Sequence, residues 1–295
     1  MNGVHAAIVT HFDADLNVDH EAVAAEVDRL IVAGIHGIVA NGTVGEGGSM
    51  SREERRAVIE TVVAAADGRV PVRAGLSAHT AEQAAKYGQD AKTAGADGVM
   101  LLPPLLYRAD RRELIEFFAA VAGAVELPIM IYNNPEASGS DLRPELLAEL
   151  TRELPAVDAI KETSGDARRI PQLVNLCPDL DVMVGGDDWA LEGFCAGAAG
   201  WVSGVADVFP AECARLWDLC QAGELTTARE LYQELLPLAR LDMTPKLVQY
   251  FKAALDALEL GGGPCRPPRL PLTSAELDTL RSAVESASRT RLSRR

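Results

Sequence analysis

The chain lacks the usual signatures of metal, disulfide and membrane chemistry. Its five cysteines, Cys177, Cys195, Cys213, Cys220 and Cys265, include no Cys-x-x-Cys pair, and none stands at metal-ligand spacing from a histidine. An odd number of scattered cysteines predicts reduced thiols in a cytoplasmic protein. The five histidines, His5, His11, His20, His36 and His79, form no His-x-His or His-x-x-x-His group, which argues against a zinc site. The apolar stretch Val4 to Thr10 is too short for a membrane span or an export signal, and no basic segment precedes it. Positive charge is also scarce. Lys and Arg number 28 against 43 Asp and Glu, and the net charge of −15 disfavours nonspecific binding to nucleic acid or an anionic membrane.

What the chain does have is alternation. Short apolar runs at Ala6–Thr10, Gly37–Ala40, Val70–Ala74, Val99–Leu102, Ile129–Tyr132, Val157–Lys161, Val182–Val184 and Gly200–Ser203 read as strands. Between them lie segments of helical period, at about Asp19–Ala33, Ser51–Ala66, Thr80–Ala94, Asp110–Val125, Arg143–Glu153, Asp166–Leu176, Asp187–Ala196 and Pro210–Gln221. Ser51 followed by Glu54 fits a capping box, and Thr80, Asp110 and Asp166 fit the same start signal. Eight alternations over about 220 residues predict an α/β fold, a closed (β/α)8 barrel over residues 1–223. The competitor is an open doubly wound sheet, but no Gly-x-Gly-x-x-Gly follows the first strand to make a dinucleotide site. After Gly223 the strands stop, and residues 224–295 read as a small helical domain. It has helices at about Leu225–Leu241, Pro245–Leu258 and Ser274–Ala287, and a frayed basic tail from Ser288 to Arg295.

The stretch from Ala159 to Asp166 stands out. It brings Lys161 to the end of an inward-facing strand, whereas the other four lysines, Lys86, Lys92, Lys246 and Lys252, lie in helix-like segments where a charged head can reach water. Burial penalises an ammonium and favours the neutral, nucleophilic amine. The alternative is a structural lysine paired to a carboxylate such as Glu162. In a barrel, function gathers where the strands end. Strand two runs into Asn41-Gly42-Thr43-Val44-Gly45-Glu46-Gly47-Gly48, either a tight turn or a nest of backbone N–H groups for a carboxylate. Strand five ends in Tyr132-Asn133-Asn134-Pro135, where the phenol is either a core tyrosine or an acid/base group. Strand seven runs into Gly185-Gly186-Asp187-Asp188, read as helix capping by one of the aspartates. Together, a carboxylate nest, a phenol and a buried amine suit a 2-oxo acid or its cyclic imine, held as a Schiff base on Lys161.

These residues resemble the dihydrodipicolinate synthase and N-acetylneuraminate lyase superfamily. Gly42-Thr43-Val44-Gly45-Glu46 is similar to its GTTGE loop, Tyr132-Asn133-Asn134-Pro135 with Gly139 to its YNxPxxxG, and Ile160-Lys161-Glu162 to its Schiff-base motif. The resemblance implies a barrel with a C-terminal helical domain, built as a homotetramer (a dimer of dimers) or a homodimer. It implies Lys161 as nucleophile, Tyr132 as proton shuttle, and Thr43 with the Val44 amide as the carboxylate site, with Val202 also lining the substrate. It calls for no metal and no cofactor beyond the covalent Schiff base.

The departures bear on the substrate. The synthases carry an arginine for a second carboxylate two residues after the proline of YNxP, where this chain has Ala137. Where the synthases place a tyrosine pair, it has Leu105-Leu106, with Tyr107 one position later. The branch it resembles most is the deaminases of hydroxyproline breakdown, through Gly200-Trp201-Val202-Ser203-Gly204, Pro245-Lys246-Leu247-Val248-Gln249-Tyr250 and Arg266-Pro267-Pro268-Arg269-Leu270-Pro271. That branch converts 1-pyrroline-4-hydroxy-2-carboxylate to 2,5-dioxopentanoate and ammonia. Three alternatives stand beside it: dihydrodipicolinate synthase itself, a 2-oxo-3-deoxy sugar-acid aldolase or dehydratase, and a retired barrel that only binds a metabolite.

Overall fold

The computed structural model describes residues 1–292, and eight parallel strands close on themselves in the order β1 to β8. They are β1 Gly3–Ala7, β2 Gly37–Ala40, β3 Val72–Leu76, β4 Gly98–Leu101, β5 Ile129–Asn133, β6 Val157–Glu162, β7 Asp181–Val184 and β8 Gly200–Ser203. Closure is direct: β1 pairs with β8 through Gly3↔Gly200 to Ala6↔Ser203. Both faces of every strand are covered, which is why the strands read as apolar runs rather than as alternating patterns. The barrel, and not an open sheet, is therefore the fold.

The helices that wrap the barrel begin close to the expected signals. Ser51 and Glu54 form a full capping box ahead of Arg52–Ala66, as do Asp110 and Glu113 ahead of Arg111–Val125, and Thr80 caps Ala81–Thr93. Each such cap contributes about 1 kcal/mol. Two expectations are corrected. The helix expected from Asp166 begins at Arg169, because Asp166 spends its carboxylate on the backbone and guanidinium of Arg168. Asp187 does not cap the segment after it, which starts as a 3-10 turn with Gly186 at the cap. Instead it accepts a hydrogen bond from the backbone N–H of Val205, 2.8 Å away, at the start of the short helix Val205–Val208.

After the barrel come helices Leu225–Asp242, Leu247–Ala257 and Ser274–Leu292. The last runs five residues past the expected end, so the segment read as a frayed tail is helical as far as Leu292, and 293–295 lie outside the described residues. This region is tied to the strand-two loop by a buried ion pair, Lys252 Nζ to Glu46 Oε1 at 2.9 Å, with Phe12 beneath the amine. The expectation that the Lys252 head reaches water is thereby corrected: the chain folds the helix Leu247–Ala257 over the strand-two loop, where Glu46 compensates the buried ammonium. Among the described residues no helix is long and apolar enough to cross a membrane.

Candidate active site

A pocket of about 150 Å³ opens at the C-terminal ends of the strands, where a barrel of this kind holds its chemistry. Thr43, Val44, Tyr132, Lys161 and Val202 all line it, so the five residues singled out in the sequence meet in one place. They arrive there from four strands. Thr43 and Val44 follow β2, Tyr132 lies in β5, Lys161 in β6 and Val202 in β8.

Lys161 and Tyr132 are partners in register on neighbouring strands, and the lysine Nζ stands 4.2 Å from the centre of the tyrosine ring. A register shift between Ile129 and Met130 sets two residues of β6 against one of β5, and such an irregularity re-aims the side chains beyond it. Lys161 is 5% exposed and, among the described residues, forms no ion pair. The structural alternative, a bridge to Glu162, is not what the chain builds. Glu162 points to the other face, where it accepts from Asn133 Nδ2 at 2.8 Å and from the Ser164 N–H at 2.6 Å. Burial pushes its carboxyl above the ordinary range, and those two hydrogen bonds oppose the shift. Tyr132 Oη accepts from Asn134 Nδ2 at 2.9 Å, which orients the phenol across the pocket.

The loop after β2 is a tight construction. Asn41 and Glu46 both hold positive φ, 57° and 52°, and the turn between them closes through Glu46 N to Thr43 O and Gly47 N to Gly42 O. Only glycine fits at 45 and 47, since a Cβ there would lie 2.8 Å from Ile8 O and 2.3 Å from Asn41 O. Arg55 braces the loop from behind, donating to Gly47 O and Gly75 O at 2.6 and 2.7 Å. Among the described residues the Thr43 and Val44 amides donate to no other group, so both can serve a ligand carboxylate.

The sequence reading singled out none of five further polar members of the pocket: Asn134, Glu136, Thr163, Asp242 and Thr244. Asn134 lies within the YNxP motif and Glu136 directly follows it, so both were within reach. Thr163 was also close, two residues past Lys161, and its buried hydroxyl has no hydrogen-bond partner among the described residues. Asp242 was not. It ends the helix Leu225–Asp242, 81 positions from the lysine it faces, and carried no signal of its own. Asp187 lies just behind, fully buried. Its side chain accepts from Trp201 Nε1 at 2.9 Å, and burial with Asp242 nearby pushes its carboxyl well above the ordinary range. Through Trp201 and the Val205 N–H, Asp187 ties the end of β7 to β8 and to the turn that follows it.

Chemically, this arrangement offers an amine, a phenol at its side and an amide-lined seat for a carboxylate. Lys161 is the sole cation among the described pocket residues, beside two carboxylates, Glu136 and Asp242.

Comparison with known proteins agrees with that picture. Residues 1–287 match the dihydrodipicolinate synthetase family. A 4-hydroxy-tetrahydrodipicolinate synthase from Methanoculleus marisnigri is 35% identical over 289 residues, 96% of this chain and 98% of the relative. One from Methanopyrus kandleri is 36% identical, over 95% of this chain and 93% of its own. Among solved structures, the 4-hydroxy-tetrahydrodipicolinate synthase of Methylacidiphilum fumariolicum SolV superposes with a TM-score of 0.94 at 29% identity, covering 98% of this chain and 96% of that one. With a match this long and a barrel this similar, the chain belongs to the dihydrodipicolinate synthetase family and is an enzyme of its lyase and aldolase type.

Proposed function

We propose that the enzyme deaminates 1-pyrroline-4-hydroxy-2-carboxylate through a Schiff base on Lys161. The observation that carries this reading is the charge inventory of the pocket. It has one seat for a carboxylate, at Thr43 and Val44, and Ala137 where a second carboxylate would need a cation. A substrate with a single carboxylate brings no second anion to a pocket wall that already carries Glu136 and Asp242.

The roles follow from position. The Lys161 amine adds to C2 of the ring, and the C2–N bond breaks, leaving a lysine iminium and a primary amine on C5. Tyr132 takes the C3 proton, and the C4 hydroxyl departs as water. Proton shifts carry the unsaturation to C5, and two waters hydrolyse the C5 imine and the lysine imine, giving ammonia, 2,5-dioxopentanoate and free Lys161. One water is released and two are consumed, so the sum is substrate plus water to product plus ammonia. The iminium is itself the electron sink, and the scheme calls for no cofactor.

A second reading is favoured by the names of the relatives: 4-hydroxy-tetrahydrodipicolinate synthase. Its product carries two carboxylates, and the second would face Ala137, Glu136 and Asp242. For assembly, the exposed Leu106 and half-exposed Tyr107 support the oligomer that the family resemblance implies. Tyr107 lies outside the pocket and bonds to Glu113 of its own chain, so a neighbouring copy would have to supply any tyrosine at that point.

Mass spectrometry after borohydride reduction tests the function, with pyruvate and 4-hydroxy-1-pyrroline-2-carboxylate offered separately and ammonia followed in parallel. The expected result is a Lys161 adduct and ammonia from the pyrroline, both lost in Lys161→Ala. Labelling by pyruvate, without ammonia from the pyrroline, turns the assignment to the synthase or an aldolase.

A further inference from the structure

Asp242 occupies a costly position. It is the last residue of a helix of 18 residues, at the end where the backbone dipole already presents partial negative charge, and it shares its surroundings with Asp187 and Asp188. A carboxylate there opposes the helix rather than stabilising it. The structure nevertheless holds it in place: its Oδ2 accepts from the Asp187 N–H at 3.3 Å, and its side chain forms part of the wall of the pocket that contains Lys161. Local rules broken at the mouth of a site are expected where the residue serves the ligand.

Resting on the Schiff-base reading above, we propose that Asp242 forms a second subsite of this pocket, a carboxylate that receives the amino or iminium nitrogen of a substrate whose own carboxylate sits at the Thr43–Val44 loop. The pocket is then bipolar: backbone N–H groups at one end take the anion, and an aspartate at the other takes the cation. When Lys161 breaks the C2–N bond of a cyclic imine, the ring nitrogen leaves as an amine, gains a proton and needs an acceptor. Asp242 supplies one. The same carboxylate repels a substrate with a second carboxylate at the far end, which makes it a specificity residue against dicarboxylic 2-oxo acids. Glu136, the other carboxylate of the pocket, stands exposed on the short helix Pro135–Ser138, where water screens it.

Titration gives the subsite a pH dependence. Burial and the neighbouring Asp188 push the Asp242 carboxyl up to about 6, while Lys161 and the Asp187 N–H pull it down. The groups facing it are Lys161 on β6 and Asp187 and Asp188 after β7, and Asp188 in turn has Arg240 nearby. Asp242 is therefore charged above about pH 6 and loses the charge below it.

The test is a competition between two five-carbon 2-oxo acids that differ at the far end: 5-amino-2-oxopentanoate, offered as its cyclic imine, and 2-oxoglutarate. Borohydride traps both on Lys161, and mass spectrometry reads the adduct ratio, in which any change in lysine reactivity cancels. The wild-type enzyme should favour the amine-bearing acid at least about tenfold at pH 7.5, a preference worth about 1.4 kcal/mol. Asp242→Asn, which keeps an oxygen to accept the Asp187 N–H, should lower the ratio at least about tenfold, and the wild-type ratio should fall as the pH drops from 7.5 to 5. A ratio that stays within about twofold in Asp242→Asn overturns the proposal. If that variant does not fold, the wild-type profile decides, and a flat profile overturns it. A wild type that forms no Lys161 adduct with either acid overturns the Schiff-base reading itself, and the subsite with it.

Discussion

Asn133 and Glu162 are partners in register on β5 and β6, one residue beyond Tyr132 and Lys161, and they are joined by a 2.8 Å hydrogen bond from the amide to the carboxylate. The bond lies on the outer face of the barrel, directly behind the pair that lines the pocket. Asn133 also accepts from the Leu142 N–H at 2.9 Å, so one side chain ties two strand ends to the segment that follows. What holds the phenol and the amine at a fixed separation is thus a polar clamp that never touches substrate.

Glu162→Gln breaks that clamp selectively. Both carboxylate oxygens accept from donors, Asn133 and the Ser164 N–H, and a carboxamide has one oxygen only. The variant must therefore turn an N–H₂ toward a donor, at a cost of about 1–3 kcal/mol for the group left unsatisfied. Urea unfolding should show that loss, and turnover should fall with little change in adduct formation. Unchanged stability would mean that the carboxyl is already protonated and donates to neither partner.

Tyr132→Phe removes the phenol and keeps the ring that packs against Lys161 Nζ. Adduct formation should persist, while turnover slows by about 10²–10⁴, the usual loss for a general acid or base. Rapid trapping of the lysine adduct beside steady-state ammonia release separates the two steps. Loss of the adduct itself would move the tyrosine's role from proton transfer to formation of the Schiff base.

The parts of the site that the sequence makes legible are those fixed by local rules. A lysine ending an apolar run, a glycine-rich turn and a tyrosine at a strand end are each set by the few residues around them, and barrel topology then brings strand ends together whatever lies between. Strand limits are less legible. Ile8, Val9 and Thr10 are as buried as a strand residue, yet β1 ends at Ala7, because apolar character marks burial and not pairing. The Asp166 and Asp187 carboxylates look like helix caps because capping is a local signal, while Trp201 and Val205, which claim Asp187, are 14 and 18 residues away. Asp242 is illegible for the same reason: only the packing of the last helices against the barrel mouth gives it a neighbour in Lys161.

Lys252→Met tests whether the C-terminal helices hold the carboxylate loop in shape. Lys252 and Glu46 are 2% and 0% exposed, and removing one partner of a buried pair leaves an uncompensated charge, worth about 3–5 kcal/mol. Arg269, 3.4 Å from the same carboxylate, relieves part of that cost, so the lower end of the range is expected. Because Glu46 closes the turn that contains Thr43 and Val44, the variant should also raise KM for any 2-oxo acid more than it lowers kcat. A stability loss with an unchanged KM would show that the loop keeps its form without the pair.

Ala137→Arg addresses the choice between the two functional readings. Residue 137 is exposed at the pocket rim on the helix Pro135–Ser138, with room for a long side chain, and its backbone N–H is already held by Asn134 Oδ1 at 3.0 Å. An arginine there adds the cation that a second carboxylate lacks, and a charge-assisted bond of about 1.5–3 kcal/mol corresponds to roughly a tenfold to hundredfold gain in affinity. Under the deaminase reading, the wild type turns over the pyrroline and does not condense pyruvate with aspartate semialdehyde. The variant then binds dicarboxylic 2-oxo acids more tightly without gaining the condensation, since nothing else in the pocket is built for it. Under the synthase reading, the wild type already condenses the two, and arginine improves KM for the semialdehyde. Assaying both reactions in both proteins distinguishes these outcomes, because only the second reading gives condensation before the arginine is introduced.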